Sequence, residues 1–346
     1  MWSGNYRRSP IFIFSQSCIV KKSTAAEKLG RLFNMSFRLV RTECKLLRCV
    51  LQSHGFSETT NIFGKFNLLW TGCHLKPSQL KLLSEFHKVN HFPRSYELTR
   101  KDRLAKNVQR MQRLKGLRYF DFVPASYILP EEFCELCSGY LQDKGPYIVK
   151  PIASSRGRGI YIVSHPEEIP YEEPVIVSRY ISNPFLLDGF KFDVRLYAAV
   201  TSYEPLVVYL YEEGLVRFAT VRYQYGTRHL KTQCMHLTNY SVNKKNFEFV
   251  QNDDANVEDF GNKWSLGALL RYLKSEGADV TGLMVRIEDI IVKSFLSVVG
   301  PIASACNMFH TSRSQCFELY GFDIIVDENF RPWLLEVSFH FSLRHA

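Results

Sequence analysis

Absences narrow this 346-residue sequence first. It has neither the G-x-x-x-x-G-K-[ST] loop that cradles phosphates at a helix start nor the G-x-G-x-x-G dinucleotide fingerprint, so the two commonest nucleotide signatures are missing. No uninterrupted apolar run reaches the roughly eighteen residues needed to cross a bilayer, and there is no internal repeat or low-complexity tract. The stretch RRSPIFIFSQSCIVKK has the charged lead of a signal peptide, but Ser15, Gln16 and Ser17 interrupt its apolar part and no small-residue cleavage site follows. The expectation is a buried strand over 11–14 in a cytosolic protein. Nine cysteines without paired spacings suit a reducing compartment. Cys134 and Cys137 form a lone C-x-x-C in EEFCELCSGYL, which reads as neighbours one turn apart on a helix rather than a zinc site.

What is present is a folded composition with an uneven charge. Apolar residues make up 46% and aromatic residues 14% of the chain, enough for a substantial core and incompatible with general disorder. The net +10 is concentrated at one end: residues 1–120 carry 23 Lys and Arg against 6 Asp and Glu, and residues 121–346 carry 21 against 28. The basic third is expected to dock something acidic. No RNP, zinc-finger or arginine-rich signature points to nucleic acid.

The first ninety-odd residues mix β-rich runs (11–14, Ser36–Val40, 66–70) with a helix in LRCVLQSHGF that should end near Gly55. In SYELTRKDRLAKNVQRMQRLKG, the spacing of Thr99 and Asp102 predicts a capping box. Leu104, Val108, Met111 and Leu114 predict an apolar stripe, and Gly116 a stop. Arg100, Lys101, Arg103, Lys106, Arg110, Arg113 and Lys115 are placed on its outer face. From about 119, apolar runs predict strands in YFDFVPASYIL, YIVKP, GIYIV, PVIVSRYI, FKFDVRLYAAV, PLVVYLY and VRFATVRY, then helices at about 264–276 and 284–306. Grouped strands with separate helices predict an α+β catalytic half with a largely antiparallel sheet. The expected divisions are a basic part over 1–95, a central part over 96–181 and a C-terminal part over 182–346.

Three segments suggest chemistry. Lys150 ends YIVKP, and Ser154-Ser155-Arg156-Gly157-Arg158-Gly159 follows; glycines let backbone approach a phosphate while arginines neutralise it, although an ordinary basic turn fits equally. In FKFDVRLY the period of two puts Lys191, Asp193 and Arg195 on one strand face and Phe192, Val194 and Leu196 on the other. Near the end, two apolar runs each carry one carboxylate, Asp323 and Glu336. A two-residue turn at 329–330 would set them directly opposite, roughly 4.5–5.5 Å apart between Cβ atoms. Carboxylates that close need a shared proton or cation, and Mg²⁺ suits such oxygen donors; a hairpin with both acids facing water is the alternative.

Lysine on a strand, glycine-rich loop, apolar strand, charged strand and late acidic hairpin is the order of the ATP-grasp enzymes. IVKPIASSRGRGIYIV, VSRYISNPFLLDGFKFDVRLY, HLTNYSVNK and ELYGFDIIVDENFRPWLLEV resemble the tubulin tyrosine ligase-like family, and NHFPRSYELTRKDRL and YEEGLVRFATVRY resemble its glutamate-adding branch. The resemblance runs from about residue 2 to 337. It implies an ATP-grasp fold with a smaller basic α/β N-terminal domain, working as a monomer in the cytoplasm on the cytoskeleton, including the cilium and basal body. The implied reaction joins free L-glutamate to glutamate side chains of acidic tubulin tails or microtubules through an acyl-phosphate, with ATP and Mg²⁺ and with neither nucleic acid nor membrane as partner.

By the same resemblance, Lys150, Arg156 and Gly157 hold phosphates; Ser178, Arg179, Tyr180 and Ile181 frame adenine; and Lys191, Phe192, Asp193, Thr238 and Asn239 contact nucleotide. Arg217, Tyr240, Ser241 and Lys263 take the amino acid. Asp323 and Glu336 hold metal, with Lys150, Arg217 and Glu336 catalytic. One departure stands out: the family continues Glu-Val-Asn-Leu-Ser-Pro, whereas this sequence reads Glu336-Val337-Ser338-Phe339-His340 and stops at Ala346. The implied third ligand, an asparagine, is a serine here. A catalytically impaired nucleotide- and tubulin-binding protein is therefore the second expectation.

Overall fold

A computed structural model describes residues 24–339, apart from 61–65, 85, 153, 155, 171, 255 and 310–314. The strand expected at 11–14 lies outside the described residues. Three sheets organise the rest. Strands β1 (Ser36–Val40), β2 (Ser57–Glu58), β3 (Leu68–Thr71) and β4 (Lys88–Val89) form a parallel sheet in the order β2-β1-β3-β4. Parallel neighbours need crossovers, and the Lys45–Ser53 helix supplies the first, its start capped by the Cys44 Sγ 3.3 Å from the Leu47 amide. Gly55 turns the chain at φ +82°, where any Cβ would lie 2.4 Å from the Glu27 carbonyl.

Strands β5 (Ser126–Ile128), β6 (Tyr147–Pro151), β7 (Tyr161–Val163) and β8 (Val175–Arg179) make a small antiparallel sheet ordered β5-β8-β6-β7. The largest sheet runs β12-β11-β10-β13-β14, with β9 paired to β10. Its strands are β9 (Leu186–Leu187), β10 (Phe190–Tyr203), β11 (Leu206–Phe218), β12 (Lys263–Ser265), β13 (Glu318–Val326) and β14 (Pro332–Ser338). All its pairings are antiparallel, as expected for this half. The runs PLVVYLY and VRFATVRY, expected as separate strands, join in one strand that ends at Phe218: its pairing with β10 is interrupted by an irregularity over 211–213 and resumes at Gly214, where a Cβ would lie 2.8 Å from the Arg195 carbonyl.

The core lies on the β10–β13 face opposite Asp193 and Asp323. Phe192, Val194, Leu196, Tyr320 and Phe322 meet Phe295, Ile291 and Ile287 of the Val280–Phe309 helix. Among the described residues this is the one helix long and apolar enough, by length and composition, to cross a membrane, and half of its most apolar window is buried in the protein. Arg286, Glu288, Asp289 and Lys293 interrupt its apolar pattern, which is why no uninterrupted run marked it in the sequence.

Two local expectations need correction. The helix read from Tyr96 onward breaks: Tyr96–Thr99 and Lys101–Lys115 are separate, with Arg100 extended between them. The capping box does not form, because the Thr99 hydroxyl donates to the Ser95 carbonyl at 3.4 Å and Arg100 occupies the Asp102 carboxylate at 2.8 and 3.1 Å. The stripe buries Leu104 and Val108 and half-buries Met111, but Leu114, in the last turn, is 66% exposed. Gly116 does end the helix, at φ +96°.

The β13–β14 hairpin departs from the two-residue turn in a more instructive way. Val326 pairs with Pro332, leaving a five-residue turn over 327–331. Asp327 builds it: its carboxylate accepts from the amides of Asn329 and Arg331 and from the Trp333 indole, all within 3.0 Å. The longer turn by itself would place Asp323 opposite Leu335, but a bulge between Asp323 and Ile324 in the pairing shifts the register by one residue and brings Glu336 opposite Asp323.

Candidate active site

The small and the large antiparallel sheets face each other across a cleft of about 1020 Å³, counted out to its open mouth. Apolar walls come from Ile148, Ile160, Ile176, Ile325 and Leu334. Five cationic side chains line it, Lys101, Lys150, Arg179, Lys191 and Arg217, against three carboxylates, Asp193, Asp323 and Glu336. A flat apolar slot with a surplus of buried cations accommodates an aromatic, multiply anionic ligand.

Register explains how the charges meet. Lys263, Arg217 and Asp193 are aligned across β12, β11 and β10, while Arg195, Asp323 and Glu336 are aligned across β10, β13 and β14. Arg217 joins the two rows: its Nε donates to Asp193 at 2.9 Å and its Nη2 lies 3.0 Å from Asp323. Arg195 grips Asp323 with both Nε and Nη2, the latter at 2.8 Å. Burial works against the Asp323 carboxylate, but Arg195 and Arg217 overcome it and hold the group well below the usual carboxylate range. Burial pushes Lys150 down, with Glu336 opposing, and takes Lys191 to about 7 against the pull of Asp193.

Most of the residues expected from the sequence line this cleft: Lys150, Ser178, Arg179, Tyr180, Ile181, Lys191, Asp193, Arg217, Thr238, Asn239, Asp323 and Glu336. Phe192 does not. Period two turns it away from Lys191 and Asp193, and it is 1% exposed within the core, tilted against Phe218. Arg156, Gly157, Tyr240, Ser241 and Lys263 form the adjoining rim. There the Ser241 hydroxyl donates to the Arg156 carbonyl at 2.6 Å, and the Lys263 ammonium lies 3.9 Å above the Tyr240 ring. Arg156 and Gly157 both have positive φ, 62° and 76°, so the loop folds back at this point.

Lys101, expected on the outer helix face, lines the cleft instead. Its side chain is 10% exposed, and its ammonium donates to Glu336 at 3.2 Å and to the Ser154 carbonyl of the glycine-rich loop at 2.9 Å. The signal was available: Lys101, Leu104, Ala105 and Val108 are spaced i, i+3, i+4 and i+7, so Lys101 belongs to the buried stripe. Arg195 shares the strand face of Lys191 and Asp193, as expected, and its guanidinium is engaged by Asp323.

Asp323 and Glu336 offer the hard oxygens a divalent cation prefers, but protein cations already engage both, and no cluster of three or more His, Cys, Asp or Glu exists among the described residues. The pair therefore fits a metal whose remaining ligands are phosphate oxygens rather than an independent ion cage. Ser338 pairs with Gly321, and its hydroxyl lies 3.5 Å from the Gly321 carbonyl.

A cleft between two antiparallel sheets, with a lysine-bearing strand and glycine-rich loop on one side and an acidic hairpin on the other, defines the ATP-grasp-like class of α+β folds. Within that class the chain belongs to the tubulin-tyrosine ligase family, whose model matches residues 80–345. It is 54% identical over 343 residues to the tubulin polyglutamylase TTLL5 of Homo sapiens, covering 99% of this chain and 27% of that protein. It is 40% identical over 357 residues to tubulin polyglutamylase ttll-5 of Caenorhabditis elegans, covering 97% and 49%. To the tubulin monoglutamylase TTLL4 of Homo sapiens it is 42% identical over 281 residues, covering 80% and 23%. The chain thus spans about a quarter to a half of the length of these relatives.

Proposed function

We propose that this chain is an ATP- and Mg²⁺-dependent amide ligase that adds L-glutamate to glutamate side chains of tubulin tails. The observation that carries the reading is the pairing of Asp323 with Glu336 at the end of a cleft lined by five cations. In this reading the slot bounded by Ile148, Ile176 and 178–181 takes adenine, Asp193, Thr238 and Asn239 contact the nucleotide, and Lys150, Lys191 and the 154–159 loop take phosphates. Asp323 and Glu336 would hold Mg²⁺, which supplies charge neutralisation at the transferring phosphoryl group. Arg217, Tyr240, Ser241 and Lys263 adjoin that end and are assigned to the incoming amino acid. Its amine displaces phosphate from an activated acceptor carboxylate, so the chain's contribution is placement and charge stabilisation, with no protein nucleophile.

The same reading assigns the exposed cations Arg103, Lys106, Arg113 and Lys115 to the acidic tail, places the protein on the cytoskeleton, including the cilium, and retains divisions at 95 and 181. Incubating the purified protein with ATP, glutamate and microtubules should produce glutamate additions detectable by mass spectrometry. Nucleotide binding with no incorporation would overturn the ligase and leave a tubulin-binding protein.

The loop gives a sharper expectation. A Cβ on Gly157 would lie 2.9 Å from Val242 and 3.0 Å from the Asn239 amide oxygen, on a backbone at φ +76°. Gly157→Ala should therefore displace Asn239, weaken ATP binding by about tenfold and cost about 1–2 kcal/mol of stability. Calorimetric titration with ATP and thermal melting measure the two effects.

A further inference from the structure

Lys191 on β10 is 6% exposed, yet among the described residues the one hydrogen-bond partner of its ammonium is a neutral group, the Tyr180 hydroxyl at 2.9 Å. The Tyr180 hydroxyl also lies 2.8 Å from His236 Nδ1, and His236 Nε2 lies 2.9 Å from the His229 carbonyl. These contacts can be ordered by direction. A carbonyl only accepts, so Nε2 carries the ring hydrogen; a neutral ring then has a bare Nδ1, which must accept from the Tyr180 O–H. The phenol has spent its proton on the histidine and presents a lone pair to Lys191. Lys191 itself lines the cleft.

The protonation states agree with this direction. Burial takes His236 down to about 4, so it is neutral at pH 7, and pushes the Tyr180 phenol up, so it keeps its proton. Burial also takes Lys191 to about 7; the groups facing it are Asp193 on its own strand, which favours its charge, Lys150 on β6, which opposes it, Tyr180 and His236. Tyr180 and His236 are both nearly inaccessible, and with Tyr223 and Met235 they form a packed wall behind the lysine. The hydrophobic cluster that contains Tyr180, Tyr223 and Met235 is separate from the one under the large sheet.

We propose that Tyr180 and His236 are positioning residues: through a one-way hydrogen-bond strap they hold the Lys191 ammonium as a donor toward the phosphate of a bound nucleotide. This rests on the reading of the cleft as a nucleotide site. An anion on Lys191 favours its charged form, so binding takes up a proton. ATP affinity should be level below pH 7 and fall as pH rises above 7, toward the higher value the lysine acquires in the complex.

Calorimetric titration of the full chain with ATP between pH 6 and 9 tests this, alongside thermal melting. Tyr180→Phe keeps the ring and removes the hydroxyl; it should weaken ATP binding about tenfold and alter the pH profile. His236→Leu should do the same, while His236→Asn, whose amide oxygen can replace Nδ1 as acceptor, should recover most of the affinity. Lys191→Arg, charged throughout, should flatten the profile. In turnover the strap variants should raise KM for ATP more than they lower kcat. A Tyr180→Phe protein that melts like wild type and keeps wild-type affinity and pH profile overturns the strap. Should Tyr180→Phe fail to fold, equal affinities for His236→Asn and His236→Leu overturn it instead. Wild-type protein that does not bind ATP at all removes the nucleotide reading itself, and the strap with it.

Discussion

Replacing Asp323 with asparagine is expected to abolish ligation and to destabilise the protein by about 3–5 kcal/mol. The carboxylate is where two guanidiniums converge, Arg195 and Arg217, whose side chains are only 17% and 11% exposed. Asparagine keeps the shape but leaves Arg195 buried without its carboxylate partner and Arg217 with Asp193 alone, and it removes one of two oxygen donors proposed for metal. Urea denaturation should show a lower midpoint and glutamate incorporation should be undetectable. A second substitution separates the causes: Arg195→Met added to Asp323→Asn should recover part of the stability and none of the activity. Incorporation near the wild-type rate in Asp323→Asn would remove Asp323 from the proposed chemistry. The pH dependence has a definite sign. The folded-state pKa is depressed, so this pair stabilises the protein above the ordinary carboxylate range and is lost only as pH falls below it.

The second large effect lies away from the cleft. Glu318 is 1% exposed and accepts four hydrogen bonds: from His91 Nδ1 at 2.7 Å, the Ser95 hydroxyl at 3.0 Å, the Phe92 amide at 3.0 Å and the Tyr320 hydroxyl at 2.9 Å. The other nitrogen of His91 lies 3.0 Å from the Thr71 carbonyl of β3. One carboxylate thereby joins the parallel sheet, the segment leading into the Tyr96–Thr99 helix and the start of β13. Glu318→Leu would strand several buried donors, at a cost of about 3–5 kcal/mol, a large part of a typical domain's 5–15 kcal/mol. Expression at 37 °C should yield mostly insoluble protein, and the soluble fraction should melt well below wild type. A melting point within about 2 °C of wild type would show that the network is dispensable.

Glu318 also shows what the sequence did not disclose. In FELYGFDIIV it is a carboxylate at a strand start, and three of its four partners, His91, Phe92 and Ser95, lie more than two hundred positions away. Asp323 and Glu336 were legible because one hairpin holds both. Lys191 and Asp193 were legible because period two is a local property of a strand, and the same rule, applied strictly, turns Phe192 into the core. Lys101 is misplaced when the apolar stripe is drawn only from Leu104 onward; the same spacing carried one turn back includes it. The Lys191–Tyr180–His236 strap joins residues 11 and 56 positions apart across three elements, so only folding brings it together.

The β13–β14 hairpin has one more consequence. A strand residue has only two orientations, so its face is a matter of odd and even. The five-residue turn and the bulge each change that parity once, and together they restore it. What the bulge does is take Leu335 out of the count. Were it straightened with Leu335 kept, Leu335 would fall opposite Asp323 and Glu336 would turn toward the helix layer. Deleting Leu335 should instead leave the acids opposed, because Glu336 then follows Leu334 directly in the pairing. The position of the second acid is thus a matter of number, and it does not depend on which side chains the turn carries.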